Sequence, residues 1–365
     1  GQSSFTGSAP SGFTHLNTAN LPTPSITDGS AHFQPTLYTG TGSSRSVDQS
    51  GNSTFQPDWV WVKSRNAGYD HALYDAVRGV TKELKSNETS AEATITTGLT
   101  AFESDGFQVG SRVGVNGSSD TFVAWQWKAN GAGSSNEDGS INTTATSANT
   151  TAGFSVVKYT PGTGAQTWGH GLGVAPKMVI VKEIGAAVNW QVYHESSGAG
   201  GKLFLNTTAA YAADTGIWNN TAPTSSLVST GSGINTANPF IAYCFAEIPG
   251  YSSIGSYEGN GSADGTFVYT GFRPSFLLVK NIDAVESWQI RDSKRDPFNV
   301  SKEILFPDTS GAEATSGGGQ FGDLLSNGFK WRGADGGNNS AATFIYMAFA
   351  ENPFGGDGAA PATAR

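Results

Sequence analysis

PDWVWVK (Pro57 to Lys63), PKMVIVK (Pro176 to Lys182) and PSFLLVK (Pro274 to Lys280) are three versions of one segment: a proline, a short apolar run and a closing lysine. Apolar runs of this length, rich in β-branched and aromatic residues and bounded by turn formers, read as strands rather than helices. Eight residues past each lysine begin HALYD (His71 to Asp75), WQVYH (Trp190 to His194) and WQIRD (Trp288 to Asp292), whose period-two alternation marks a second strand. Each copy ends on a hydrophobic strand: FVAWQWKA (Phe122 to Ala129), FIAYCFAE (Phe240 to Glu247) and FIYMAFAE (Phe344 to Glu351). Each opens on a related turn: YTGTG (Tyr38 to Gly42), YTPGTG (Tyr159 to Gly164) and YEGNG (Tyr257 to Gly261).

The shared order of these blocks predicts an all-β chain of three diverged antiparallel repeats, each sandwich-like or jelly-roll-like. The expected division is an N-terminal segment 1–30, repeats at 31–129, 153–250 and 251–355, a flexible Gly/Ser/Asn connector at 130–152, and a tail at 356–365. SDGF (Ser104 to Phe107) and SNGF (Ser326 to Phe329) predict hairpins, because Asp-Gly and Asn-Gly tolerate positive φ. Minor helical turns are expected near Thr81 to Lys85 and Ser301 to Leu305.

Composition agrees with this reading. Glycine makes up 48 of 365 residues, charged residues only 14%, and aromatic residues 11%, enough to fill β cores. A net charge of −9 argues against a nucleic-acid partner, which would need a clustered basic face. No apolar run reaches the length of a membrane helix, so no membrane insertion is expected. The single cysteine, Cys244, excludes an intrachain disulfide and reads as a buried inert thiol. The sequence opens without methionine, which suggests a processed or partial chain.

Catalytic chemistry finds little footing. Of the five histidines (His15, His32, His71, His170 and His194), His71 stands nearest to carboxylates, yet its repeat equivalents are Trp190 and Trp288, so the position calls for a flat ring rather than a base. His194 aligns with Asp75 and Asp292 and is expected at a polar, outward position. No carboxylate pair recurs between copies as glycoside hydrolysis would require, and no G-x-S-x-G is present. Asn260, Ser262 and Asp264 space oxygens as a calcium loop would, but the position of the bidentate acid is Gly271, so a plain turn is preferred. No enzyme, cofactor or metal is expected. Of the nine tryptophans, Trp59, Trp61, Trp125, Trp127, Trp190, Trp288 and Trp331 read as core. Trp168 (in TWGHG) and Trp218 (in IWNNT) sit among Gly, His and Asn and are the candidate exposed platforms for a glycan.

NTANLPTPSITDGS (Asn17 to Ser30), the lysine-ended strands, GHGLGVAPKMVIVK (Gly169 to Lys182), GNGSADGTFVYTGFRPSFLLVK (Gly259 to Lys280) and AFAENPF (Ala348 to Phe354) together resemble a module family of marine and other tailed-bacteriophage virion proteins. In that family the module often follows a SPRY-type, concanavalin-like jelly roll, and GQSSFTGSAPSGF (Gly1 to Phe13) resembles the last strand and exit of one. The resemblance implies a virion-surface structural or host-contacting protein: a tail or head fibre binding a glycan or receptor, or a capsid decoration or cement protein. Other virion proteins are the implied partners. Unpaired strand edges favour a homo-oligomer, with a trimer expected by analogy with fibres. An extracellular lectin and a polysaccharide depolymerase are the readings from other classes. The family transfers no catalytic residues.

Overall fold

The structure is a computed structural model that describes Ser11 and residues 24–355 apart from Ser316 and Gly318. The expected jelly-roll exit strand, His15 and the C-terminal tail lie outside the described residues, Ser11 aside.

Three sheets share one antiparallel strand order: opening strand, closing strand, lysine strand, following strand. In the first unit these are Phe33–Thr39, Thr121–Trp127, Trp59–Ser64 and Ala72–Asp75. In the second they are Phe154–Tyr159, Phe240–Phe245, Met178–Glu183 and Gln191–His194, and in the third Ser252–Glu258, Thr343–Pro353, Phe272–Asn281 and Gln289–Asp292. Register is shared too. Trp127 stands between Phe33 and Trp59, Phe245 between Phe154 and Met178, and Phe349 between Ser252 and Phe276. Among the described residues the one α-helix is the single turn Val113–Asn116.

The inner faces of the three sheets meet in one aromatic core. Trp127, Phe245 and Phe349 are repeat equivalents, and their ring centroids lie 5.9 to 6.4 Å from one another, which puts them on a pseudo-threefold axis. Trp59 stacks between Trp127 and Tyr243, 4.4 Å from each. Each such ring removes roughly 150–250 Å² from water, on the order of 4–6 kcal/mol as an upper bound. The outer face of each sheet carries its own smaller core. A small sheet covers it, made of Arg45–Asp48, Gly106–Val109 and Leu99–Glu103 in the first unit. The second unit uses Gln166–Gly169 with Leu227–Thr230, and the third uses Phe267–Tyr269, Gly328–Trp331 and Gly322–Leu325.

The two predicted hairpins form, with Glu103 facing Gly106 and Leu325 facing Gly328 across the turns. Glycine is required there for a further reason. A Cβ at Gly106 would lie 2.1 Å from the Val47 carbonyl oxygen, and one at Gly328 would lie 2.0 Å from that of Val268.

Three details differ from the sequence reading. The connector 130–152 contains the strand Thr143–Asn149, which extends the second sheet by pairing with Phe154–Tyr159. Its Thr, Ser and Asn side chains mask strand geometry in the composition. The expected helical turns near residues 81 and 301 are instead the short strands Lys82–Glu83 and Glu303–Ile304, held by pairing with Ala93–Thr94 and Ala314–Thr315. Finally, the units are not separate bodies joined by linkers, because their largest core is common to all three.

Candidate functional site

Polar groups carried by the recurring blocks close the ring of units. At the equivalent positions 71, 190 and 288, the ring nitrogen of each residue bonds a backbone carbonyl of the preceding unit. Trp190 Nε1 donates to Lys85 O (2.9 Å), Trp288 Nε1 donates to Phe204 O (2.9 Å), and His71 Nε2 reaches Phe306 O (3.0 Å). His71 Nδ1 accepts from Trp61 Nε1 at 2.8 Å, so the proton sits on Nε2 and is donated to Phe306. Burial and the nearby Lys63 push the His71 pKa well below the usual histidine range. His71 is therefore a neutral stand-in for an indole. Trp61 restores the lost volume where the other units have Ile180 and Leu278.

A second set of contacts runs between the closing strand of one unit and position 75, 194 or 292 of its neighbour. Trp125 Nε1 donates to Asp292 (3.1 Å), Tyr243 Oη donates to Asp75 (2.8 Å), and His194 Nε2 lies 3.2 Å from the Tyr346 carbonyl. The outward placement expected for His194 is thus corrected: it is 1% exposed and belongs to a seam between units. Burial lowers its pKa to about 4. A third set is pure backbone: Glu92 N to Ile184 O, Tyr211 N to Ile282 O and Glu313 N to Arg65 O, 2.7 to 3.0 Å.

The recurring lysines serve this third set. Lys63 Nζ donates to Ser64 O and Ala67 O, and Lys182 Nζ to Glu183 O and Ala186 O. Lys280 Nζ donates to Glu286 O and, across the seam, to Thr208 O at 2.9 Å. Each ammonium is fully buried and clamps the loop whose carbonyl receives the neighbouring unit. Burial lowers all three pKa values to about 8.

Trp168 and Trp218, the sequence candidates for glycan contact, are 0% and 1% exposed, which corrects that assignment. Trp168 stacks on Tyr159 at 4.7 Å, and Trp218 meets Tyr193 edge-on at 5.7 Å. The glycines and asparagines around them turn the chain at the rim of the second outer core, and the indoles point inward. All nine tryptophans are fully buried. His170 is buried too, and Cys244 is an interior thiol raised by burial to about 12.

In the loop 260–264, Asn260 Oδ1 accepts from Ser262 N, Ser262 Oγ accepts from Asp264 N, and Asp264 pairs with Lys330 at 2.7 Å. Those oxygens serve the turn itself. The cluster Asp48, Glu103 and Asp105 lies on the surface of the first unit with no histidine beside it.

What the surface offers is an open cleft of about 860 Å³ where the second and third units meet. Its walls include Tyr269, Tyr346, Glu247, Ser253, Thr270 and Gly271. Tyr269 is 64% exposed and ends a strand whose middle residue, Val268, faces the outer core. The hydroxyl edge of its ring lies near Gly271 (φ +82°), where a Cβ would stand 3.6 Å from Oη. Ser253 Oγ and Tyr346 Oη are 3.0 Å apart, and Glu247 accepts from Ile254 N and pairs with Lys177 at 3.4 Å. Sequence reasoning missed Tyr269 because its strand looks like core. The usable signal was position: the equivalent strand of the first unit carries Ser46 and Asp48 around Val47, where the third carries Phe267 and Tyr269 around Val268.

Residues 28–353 match the family model described as "Domain of unknown function (DUF7483)", and the chain belongs to that family. No curated protein matches it.

Proposed function

We propose that this chain is a non-catalytic structural module of a virion surface, a tail or head fibre that contacts a host glycan or receptor. The observation that carries the reading is where the chemistry-bearing residues are spent. His71 and His194, the three block lysines and the aspartates of the following strands are used on closing the ring of units, and every tryptophan is interior. A catalytic site would need some of these groups to converge on a solvent-reachable point with shifted pKa values. The resemblance of its motifs to those of tailed-phage virion modules supports the same assignment. Assembly into a homo-oligomer, with a trimer expected, belongs to this proposal, since the sheet edges of a fibre module need cover.

Copy number on intact particles is the test, by cryo-electron microscopy with quantitative mass spectrometry. A few copies at the tail or at single vertices is the expected result. Hundreds of copies on the capsid lattice would replace attachment with decoration, and absence from particles would reject the virion reading in favour of a secreted lectin.

A further inference from the structure

The cleft between the second and third units combines features that suit one ligand class. Tyr269 stands in the cleft wall and is 64% exposed to solvent. The same cleft is lined by the Ser253–Tyr346 hydroxyl pair and by one carboxylate, Glu247. Among the described residues Glu247 is the one charged side chain of the lining, and the Lys177 that pairs with it is shared with Glu195, so the cleft presents no positive charge to draw an anionic glycan. An aromatic face takes the apolar C–H face of a ring, and convergent hydroxyl and carboxylate oxygens take its hydroxyls. The cleft volume of about 860 Å³ is in the range of ligand sites. The pseudo-symmetry supplies an internal comparison. The residues flanking the buried centre of this strand are Ser46 and Asp48 in the first unit and Thr167 and Gly169 in the second; only the third has aromatic residues there. The packing that all three units share does not require them.

We propose that this cleft binds a neutral oligosaccharide, stacked on Tyr269 and hydrogen-bonded by Glu247 and the Ser253–Tyr346 hydroxyl pair. The assignment deepens the attachment reading above and rests on it for biological sense, but its chemistry is tested separately.

The test uses the whole chain on a microarray of neutral and charged bacterial surface oligosaccharides, followed by calorimetric titration of the strongest neutral hit. Tyr269→Ala is expected to weaken binding about tenfold or more. Tyr269→Phe is expected to retain most of it, and Glu247→Gln to lose an intermediate amount. Val113→Ala, an exposed change in the first unit, is the control and leaves binding unchanged. Retention of charged glycans only, or of none, overturns the proposal. So does a Tyr269→Ala variant that binds as tightly as the parent. A blank array with the chain present on particles would sink the cleft assignment and leave the virion reading standing. Saccharide binding that depends on Tyr269, with the chain absent from particles, would do the reverse.

Discussion

Positions 75 and 292 carry buried ion pairs at their seams, while the equivalent position of the second unit, His194, is neutral. Asp75 pairs with Arg78 and Asp292 with Arg295, each at 2.5 Å with both side chains at 1% exposure or less. Around each pair the remaining donors are satisfied: Arg295 also reaches Glu313 and the Ile290 carbonyl, and Arg78 reaches Glu92 and the carbonyls of Leu73 and Lys82. The second unit holds His194 and Ser197 at these positions, and its neighbour's donor is also gone, since Met347 stands where Trp125 and Tyr243 do. His194 turns instead to the Tyr346 carbonyl. The difference teaches that a buried ion pair is exchanged as a set. Losing one member would leave a desolvated charge without a partner, which costs more than the pair contributes.

The largest expected effect follows from breaking one set. Arg295→Ala strands Asp292 and half of Glu313 and should lower unfolding free energy by about 3–5 kcal/mol, measured by urea denaturation. Replacing both members of the ion pair, Asp292→His with Arg295→Ser, should cost less than Arg295→Ala alone; a double variant worse than the single would break the comparison.

Acid should act next. The folded pKa of His194, about 4, lies below its unfolded value of 6.5, so the unfolded chain binds more protons between them. Its contribution is fully present above pH 6.5 and is lost as pH falls towards 4, on the order of 3 kcal/mol, and His71 adds in the same direction. The urea midpoint should fall between pH 7 and pH 4.5, by less in His194→Gln than in the parent. An equal fall in both would remove His194 from the account.

Smaller still is the indole exchange. His71→Trp alone overpacks and should cost about 1–3 kcal/mol, whereas His71→Trp with Trp61→Ile, the arrangement of the second unit, should cost under about 1.5 kcal/mol. Thermal melts of the single and double variants decide it. Tyr269→Ala should change stability by no more than about 0.5 kcal/mol, which keeps binding and folding effects apart.

The strands themselves were readable because the lysine block and the strand eight residues beyond it recur at a fixed offset and the closing strands follow in the same order, and three copies of one pattern outweigh the ambiguity of any short apolar run. The His71 position was readable for the same reason, since Trp190 and Trp288 declared it a ring. The common core was not. Period-two alternation says that each strand has two faces, and both faces of Trp59–Ser64 are buried, but nothing in the order of residues says that one face meets two other units. Trp168 and Trp218 misled because polar neighbours in sequence were taken for polar neighbours in space. Tyr269 was overlooked for the converse reason: FVY reads as core, while only its middle residue faces inward.

Calorimetry of the intact chain tests the central claim, that three units close into one body around a shared aromatic core. The account predicts a single transition with calorimetric and van't Hoff enthalpies equal, displaced as a whole by Arg295→Ala. Separate transitions, with that substitution moving only the one belonging to the third unit, would contradict it.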